Sequence, residues 1–192
     1  MSDQLEPLAA PVPITQIAIV VRDIRAAMDA YQRALGWGPW NVYEHRPPLL
    51  HDTRLRGEPT AYTMVGAETR VGPLVVELIE PGEGPSIYKE WLERHGEGLH
   101  HVACMAHSAA EADALKARFA ALGAGELMGG RIGESIEFHY LDTEPLLHAT
   151  VESGAGCGRG GGAAILREPA RVVPARARNT RPADGPAGAD RE

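Results

Sequence analysis

The chain of 192 residues lacks three features that would each assign it to a broad class of protein. It has only two cysteines, Cys104 and Cys157, and their unlike surroundings exclude a disulfide framework and a CxxC metal site. No stretch approaches the run of about 20 apolar residues that a membrane span needs. The first residues have neither the basic nor the apolar region of a signal peptide. We therefore expect a cytoplasmic protein with no membrane partner.

Basic residues are also scarce, with 19 Lys and Arg against 26 Asp and Glu and a formal net charge of −7. Proteins that bind nucleic acid usually display a basic excess, so nucleic acid is not an expected partner. Residues 153–192 differ from the rest, because they hold seven arginines, four acidic residues, 12 glycines or prolines and no aromatic residue. Such a composition buries too little apolar surface to fold, which predicts a disordered Gly/Pro/Arg-rich tail over residues 155–192.

One strand–helix pattern occurs twice, 85 residues apart, and it places Gln16 and His101 at matching positions. Alternating apolar residues predict a strand in each copy, and the helix that follows has a capping residue, Asp23 or Ser108. Three more strands are predicted in each half, at 38–45, 59–67 and 71–80, and at 125–131, 134–141 and 146–152. Residues 46–58 are predicted to form a long proline-rich loop, either covering a site or lying on the surface.

The predicted class is therefore α+β, with two tandem βαβββ modules that form a curled mixed sheet. The expected organisation is an N-terminal extension (1–12), a first module (13–82), a linker helix (83–97), a second module (98–154) and the tail (155–192).

Four polar residues interrupt the apolar pattern of the strands, namely Gln16, Glu77, His101 and Glu152. They lie in the first and last strands of the two halves, so a sheet curled around a cavity could bring them together. Carboxylate and amide oxygens with one imidazole suit a divalent ion such as Zn²⁺, Co²⁺, Ni²⁺ or Mn²⁺. Taken singly, each has another interpretation: a hydrogen-bonded structural histidine, a solvated glutamate or an edge-strand glutamine. Period-2 alternation predicts that His100 points to the opposite face from His101.

The sequence resembles the vicinal oxygen chelate superfamily, particularly its glyoxalase and methylmalonyl-CoA epimerase branches. The resemblance covers about residues 13–154 and lies in these segments: 16–21 (QIAIVV), 76–81 (VELIEP), 98–103 (GLHHVA), 141–144 (LDTE) and 151–152 (VE). It implies the glyoxalase/bleomycin resistance/dioxygenase fold, with paired modules around one divalent metal, and ligands at the four polar positions. Such a ligand set is similar to that of some lactoylglutathione lyases. The epimerases more often have His where Gln16 stands and Gln where Glu77 stands.

Resemblance to the lyases makes Glu152 the first candidate for a catalytic base, and Glu77 the second. The epimerases carry another carboxylate at or near the position of Tyr62, and this departure puts methylmalonyl-CoA itself in doubt as the substrate. Other side chains could line a substrate cavity or simply pack in the core: Trp37, Trp40, Tyr43, Tyr62, Met64, His139 and His148.

Three functions remain open at this stage. The leading hypothesis is a metal-dependent isomerase or lyase, epimerase-like or glyoxalase-like, that removes a proton next to a metal-bound carbonyl of a small acyl or thioester substrate. The alternatives are a non-catalytic protein that binds an antibiotic or natural product, and a metal-dependent dioxygenase. Homodimers are common among similar proteins, so a homodimer is a further possibility.

Overall fold

A computed structural model describes residues 5–156 of the chain. The predicted tail lies outside the described residues apart from its first two positions, and Cys157 lies outside them as well. The strands are β1 (Gln16–Val20), β2 (Asn41–His45), β3 (Leu50–Leu55), β4 (Glu58–Pro59), β5 (Met64–Val71), β6 (Leu74–Pro81), β7 (Gly98–Ala106), β8 (Glu126–Ile132), β9 (Ile136–Leu141) and β10 (Thr150–Ala155). The helices are α1 (Ile24–Leu35), α2 (Ile87–His95), α3 (Ala109–Ala121) and α4 (Glu144–Leu147).

All ten of these strands form one mixed sheet, in the order β2-β5-β6-β1-β7-β10-β9-β8-β3-β4. The two repeated strands, β1 and β7, are antiparallel neighbours near its middle. Each has a parallel partner on its other side, β6 for β1 and β10 for β7. The four strands that carry the candidate ligands are therefore adjacent, and the predicted α+β class with a curled mixed sheet is confirmed.

The connection from β2 to β3 shows how strongly the sheet curls. The two strands follow each other in the chain but lie at or near opposite edges of the sheet. Only residues 46–49 connect them, and five extended residue steps span at most about 18 Å. The two edges must therefore approach each other, which gives the sheet a concave inner face.

Two predicted stretches differ from the structure. Residues 46–58, predicted as a loop, contain β3 and β4, and β3 pairs with β8 of the second half. Residues 146–152, predicted as a strand, begin in helix α4, and β10 starts only at Thr150. The partner of β3 lies about 80 residues away in the sequence, so the local sequence pattern of β3 gives no indication of this pairing.

The two faces of the sheet have separate apolar cores. The outer face packs against α1 through Val21, Ile24, Trp40, Ala67, Val76 and Leu78. The inner core includes Ala18, Val20, Tyr62, Met64, Ile79, Met128, Phe138 and Tyr140. Helix α2 contributes Ile87, Tyr88 and Leu92 to this inner core, so the linker helix covers part of the concave face.

Polar contacts hold α2 in this position. Its N-cap Ser86 accepts a hydrogen bond from the backbone N–H of Lys89. Arg56, in the turn between β3 and β4, donates two hydrogen bonds of 2.8 and 2.6 Å to the carboxylate of Glu90. Arg22 donates a hydrogen bond of 3.1 Å to the carbonyl of Leu92. None of the helices within residues 5–156 has the length and apolar character needed to cross a membrane.

Candidate functional site

The sheet register places three polar residues in one row across the inner face. Glu68 of β5 pairs with Glu77 of β6, which in turn pairs with Ala18 of β1. On the other side, Ala18 pairs with His101 of β7. Glu77 and His101 are therefore two strands apart, about 9.5 Å between backbones, with only the methyl group of Ala18 between them.

A second row lies two residues further along the strands. Gln16 of β1 pairs with Ala103 of β7, and Ala103 pairs with Glu152 of β10. Side chains two residues apart in a strand point to the same face, so Gln16 shares the face of Ala18, and Glu152 belongs to the same face as His101. The structure thus brings all four predicted ligands to the inner face. Small alanines opposite Gln16 and His101 leave room there for longer side chains.

The four side chains form two pairs. Gln16 Nε2 donates a hydrogen bond of 2.6 Å to Glu77 Oε2. His101 Nε2 lies 3.1 Å from Glu152 Oε2, but without hydrogen-bond alignment, so this buried nitrogen has no hydrogen-bond partner. Within residues 5–156, no three His, Cys, Asp or Glu side chains already stand in an arrangement that could hold a metal ion.

Three carboxyl groups, those of Glu68, Glu77 and Glu152, lie close together around these pairs. Burial raises the pKa of Glu77 well above its usual value, and the nearby carboxylates of Glu68 and Glu152 raise it further. Burial and then the carboxylate of Glu152 raise the pKa of Glu68 to about 7. Buried carboxylates that repel one another are stabilised by a cation, and the unpartnered nitrogen of His101 is a free ligand atom. The donor set therefore fits a divalent cation.

The raised pKa of Glu68 predicts a pH dependence of the stability of the metal-free protein. Because folding raises this pKa from 4.5 to about 7, the folded state binds more protons than the unfolded state between these values, and stability falls as pH rises. The free energy of unfolding of the wild type should therefore fall between pH 5 and pH 8. We expect Glu68→Gln to reduce this fall by on the order of 2 kcal/mol. Urea unfolding at pH 5 and at pH 8, in the presence of a chelator, measures this difference. Glu58→Gln, at an exposed position of β4, is the control. Parallel pH profiles for wild type and Glu68→Gln would contradict it.

Several inner-face residues were not among the predicted site residues. His45 of β2 is buried, its pKa is lowered to about 4 by burial, and its Nδ1 has no hydrogen-bond partner. A Cβ added at Gly66 would lie 3.2 Å from Glu77 Oε1 and 3.4 Å from His45 Nε2. The glycine therefore leaves space for both side chains. Glu68 follows directly after the strand predicted at 59–67, and the structure extends this strand to Val71 as β5.

A tyrosine pair lies beside His101. The Tyr88 hydroxyl donates a hydrogen bond of 2.7 Å to the Tyr140 hydroxyl, and the Tyr140 ring centroid is 4.9 Å from that of His101. Tyr140 also pairs with Glu152 in the β9–β10 register. Neither tyrosine has a sequence signal that distinguishes it from a core residue.

Of the residues predicted to line a cavity, three lie on the inner face. Tyr62 and Met64 belong to the inner core, and the Tyr62 hydroxyl is buried without a hydrogen-bond partner. The Tyr43 hydroxyl is also unpartnered, and burial together with the charge of Glu68 raises the pKa of Tyr43 to about 12. These groups leave polar atoms available to a bound molecule.

Three of the other four do not lie on that face of the strands, whereas His148 shares a small cavity with His101. Trp40 packs in the outer core, and Trp37 stacks on Tyr31 of α1 with a centroid distance of 5.3 Å. His139 Nδ1 is 2.7 Å from Glu126 Oε2, and in the alternation of β9 it faces away from Tyr140. His148 ends α4 in a left-handed conformation and lines a cavity of about 90 Å³ with Trp91, His100 and His101.

His100 does not lie where period-2 alternation predicts. The β1–β7 register shifts, so that Ala18 pairs with His101 while Ile19 pairs with Leu99, and His100 is the extra residue of a β-bulge. Its ring contacts Tyr88 and Tyr140 of the inner core, at centroid distances of 5.4 and 6.3 Å. Both histidines therefore lie on the same side, and the prediction of opposite faces was wrong.

Comparison with solved structures gives distant matches that show the same fold. A hypothetical protein from Bacillus halodurans is 17% identical, with a TM-score of 0.51 over 77% of this chain and 96% of that one. A variant of methylmalonyl-CoA epimerase from Streptomyces coelicolor, in complex with 2-nitronate-propionyl-CoA, is 19% identical, with a TM-score of 0.52 and the same coverage. The methylmalonyl-CoA epimerase from Mycobacterium tuberculosis is 16% identical, with a TM-score of 0.51 over 79% of this chain and 93% of that one.

Among curated protein sequences, none matches the chain significantly. The family model described as the glyoxalase/bleomycin resistance protein/dioxygenase superfamily matches residues 15–140. That match spans most of the described sheet, from β1 to β9, and agrees with the fold of the solved structures. The chain therefore belongs to the glyoxalase/bleomycin resistance protein/dioxygenase superfamily, the vicinal oxygen chelate proteins.

Proposed function

We propose that this protein is a divalent-metal-dependent isomerase or lyase that removes a proton next to the carbonyl of a small acyl or thioester substrate. Gln16, Glu77, His101 and Glu152 would hold the ion. Family membership supports the choice, since members of this superfamily often use a divalent metal. The Streptomyces coelicolor epimerase variant, which is in complex with 2-nitronate-propionyl-CoA, supports the substrate class.

The main support for this proposal is the environment of the His101 side chain. Its side chain is fully buried, and its Nε2 faces a carboxylate without a hydrogen-bond partner. A buried polar atom that lacks a partner costs about 1–3 kcal/mol, so such an atom on a carboxylate-rich face is well explained as a ligand. The like charges of Glu68, Glu77 and Glu152 support the same interpretation, because only a cation or protons relieve their repulsion.

When bound, a divalent cation stabilises the negative charge that develops on a carbonyl oxygen as the neighbouring carbon loses its proton. Glu152 is the first candidate for the base that accepts this proton, because its carboxylate lies on the inner face beside His101. Glu77 is the second candidate, and its amide contact from Gln16 orients it. Tyr62, Tyr88 and the apolar side chains of the inner core limit the access of water to the carboxylates.

Proton exchange with solvent tests the proposed reaction. We expect the protein to catalyse the incorporation of deuterium from D₂O at the α-carbon of a 2-methylacyl-CoA thioester or a hemithioacetal. Exchange should stop when the protein is treated with a chelator and return when Zn²⁺, Co²⁺, Ni²⁺ or Mn²⁺ is added. Proton NMR of the substrate follows the loss of the α-proton signal. Absence of exchange for the whole panel with metal-loaded protein would contradict the proposed chemistry.

A second candidate is a non-catalytic protein that binds a small molecule. It is favoured by the two side-chain pairs, Gln16–Glu77 and His101–Glu152, in which the candidate ligands already contact each other. The unpartnered hydroxyls of Tyr43 and Tyr62 would then bind the ligand. This alternative predicts tight ligand uptake that is unaffected by chelator, whereas the enzyme loses its exchange activity under the same treatment.

A further inference from the structure

The β-bulge in β7 places two imidazole rings in direct contact. His100 Nδ1 lies 2.9 Å from His101 Nδ1, which is a hydrogen-bond distance. A regular strand would send consecutive side chains to opposite faces, so this contact requires the extra residue that the bulge inserts.

Aromatic rings hold His100 in place. Its ring centroid is 5.2 Å from that of Trp91 and 5.4 Å from that of Tyr88, both in edge-on arrangements, and these two residues belong to α2. His100 is 4% exposed, so its ring has little freedom to turn away from His101. The linker helix therefore fixes the orientation of His100, and through it the contact with His101.

The position of the shared proton follows from the other nitrogen of His101. A neutral imidazole carries one proton, on Nδ1 or on Nε2. Nε2 of His101 makes no aligned hydrogen bond with the carboxylate 3.1 Å away, so no hydrogen bond holds a proton on this nitrogen. In the tautomer that leaves Nε2 unprotonated, the proton between the two Nδ1 atoms belongs to His101, and His100 accepts it in a hydrogen bond.

We propose that His100 is a positioning residue, whose Nδ1 accepts a hydrogen bond from His101 Nδ1 and so keeps His101 Nε2 free to bind the metal. This inference rests on the metal site of the proposed function. A hydrogen bond to the far nitrogen of a ligand histidine fixes both the tautomer and the ring orientation, and its loss typically lowers metal affinity 10- to 100-fold.

A matched pair of variants tests the role of the hydrogen bond. His100→Asn retains an acceptor near the position of Nδ1, whereas His100→Leu has nearly the same shape and no acceptor. We expect Zn²⁺ titration of the metal-free protein to give a 10- to 100-fold weaker affinity for His100→Leu and a change of only a few fold for His100→Asn. Equal losses in both variants would assign the effect to ring packing, and no loss in either would remove the role. Both results overturn the proposal.

Nitrogen NMR provides a readout that does not depend on metal. In ¹⁵N-histidine-labelled, metal-free wild type, we expect a scalar coupling across the N–H···N hydrogen bond, with the proton on His101 Nδ1. A proton on His101 Nε2 instead overturns the proposal even if metal binds. Wild type that shows the coupling but has no affinity for any of the four metals overturns the proposed function, and with it the role of His100 toward metal. The two failures are thus distinguishable.

Discussion

His101→Ala should abolish metal retention. Wild-type protein, purified without chelator or tag, is expected to hold about one divalent ion per chain, and the variant none, when both are measured by plasma mass spectrometry. His101 supplies the single nitrogen ligand among the four predicted positions, and its removal leaves three oxygen ligands that bind Zn²⁺ or Co²⁺ far more weakly. Its Nε2 lies 3.1 Å from the Glu152 carboxylate.

His139→Ala is the matched control for this measurement. It removes a histidine that is 2% exposed, against 1% for His101, but that contacts Glu126 instead of the candidate ligands. We expect this variant to retain its metal, and circular dichroism should show that both variants are folded. A wild type without metal, even after reconstitution, would make the four polar residues structural groups and favour the protein that binds a small molecule.

Glu152→Gln should slow proton exchange about 10²- to 10⁴-fold, which is the usual contribution of a general base. The amide retains an oxygen that can bind a cation, as Gln16 is proposed to do, but it cannot accept a proton from carbon at neutral pH. The measurement is deuterium incorporation into the substrate, normalised to the metal content of each preparation. Metal content should fall much less in this variant than in His101→Ala.

Glu77→Gln separates the two candidate bases. If Glu152 is the base, Glu77→Gln loses less exchange activity than Glu152→Gln at equal metal content. A larger loss in Glu77→Gln would transfer the role of base to Glu77, whose pKa burial and neighbouring carboxylates raise well above its usual value. Equal and small losses in both would mean that neither carboxylate removes the proton.

Local patterns in the sequence predicted the centre of the fold. The repeat at Gln16 and His101 identified β1 and β7, and polar residues in apolar strands identified four side chains that the sheet brings to one face. These predictions succeeded because a strand with one apolar face carries a period-2 pattern within its own residues. Capping by Asp23 and Ser108 was predicted for the same reason, since a cap lies within three residues of the N–H groups that it binds.

Features that depend on distant residues were missed. The pairing of β3 with β8 has no local signature, and the bulge at His100 arises from the register between two strands far apart in the chain. Trp40 illustrates the same limit, because an aromatic residue near a predicted cavity gives no indication of which core it joins. Whether the four polar residues hold a metal stays a prediction that the metal analysis tests.

The pairing of β3, from the first half of the chain, with β8, from the second half, affects the folding kinetics. A chain cut at residue 97 would leave β3 and β4 in one fragment and β8, the second partner of β3, in the other, so neither fragment contains a complete sheet. The last strand pairs can form only after ends of the sheet that are remote in sequence have met, which implies a high contact order and slow folding. During synthesis, the edge of β3 that pairs with β8 therefore has no partner until β8 has left the ribosome. That strand edge is exposed to other chains until then.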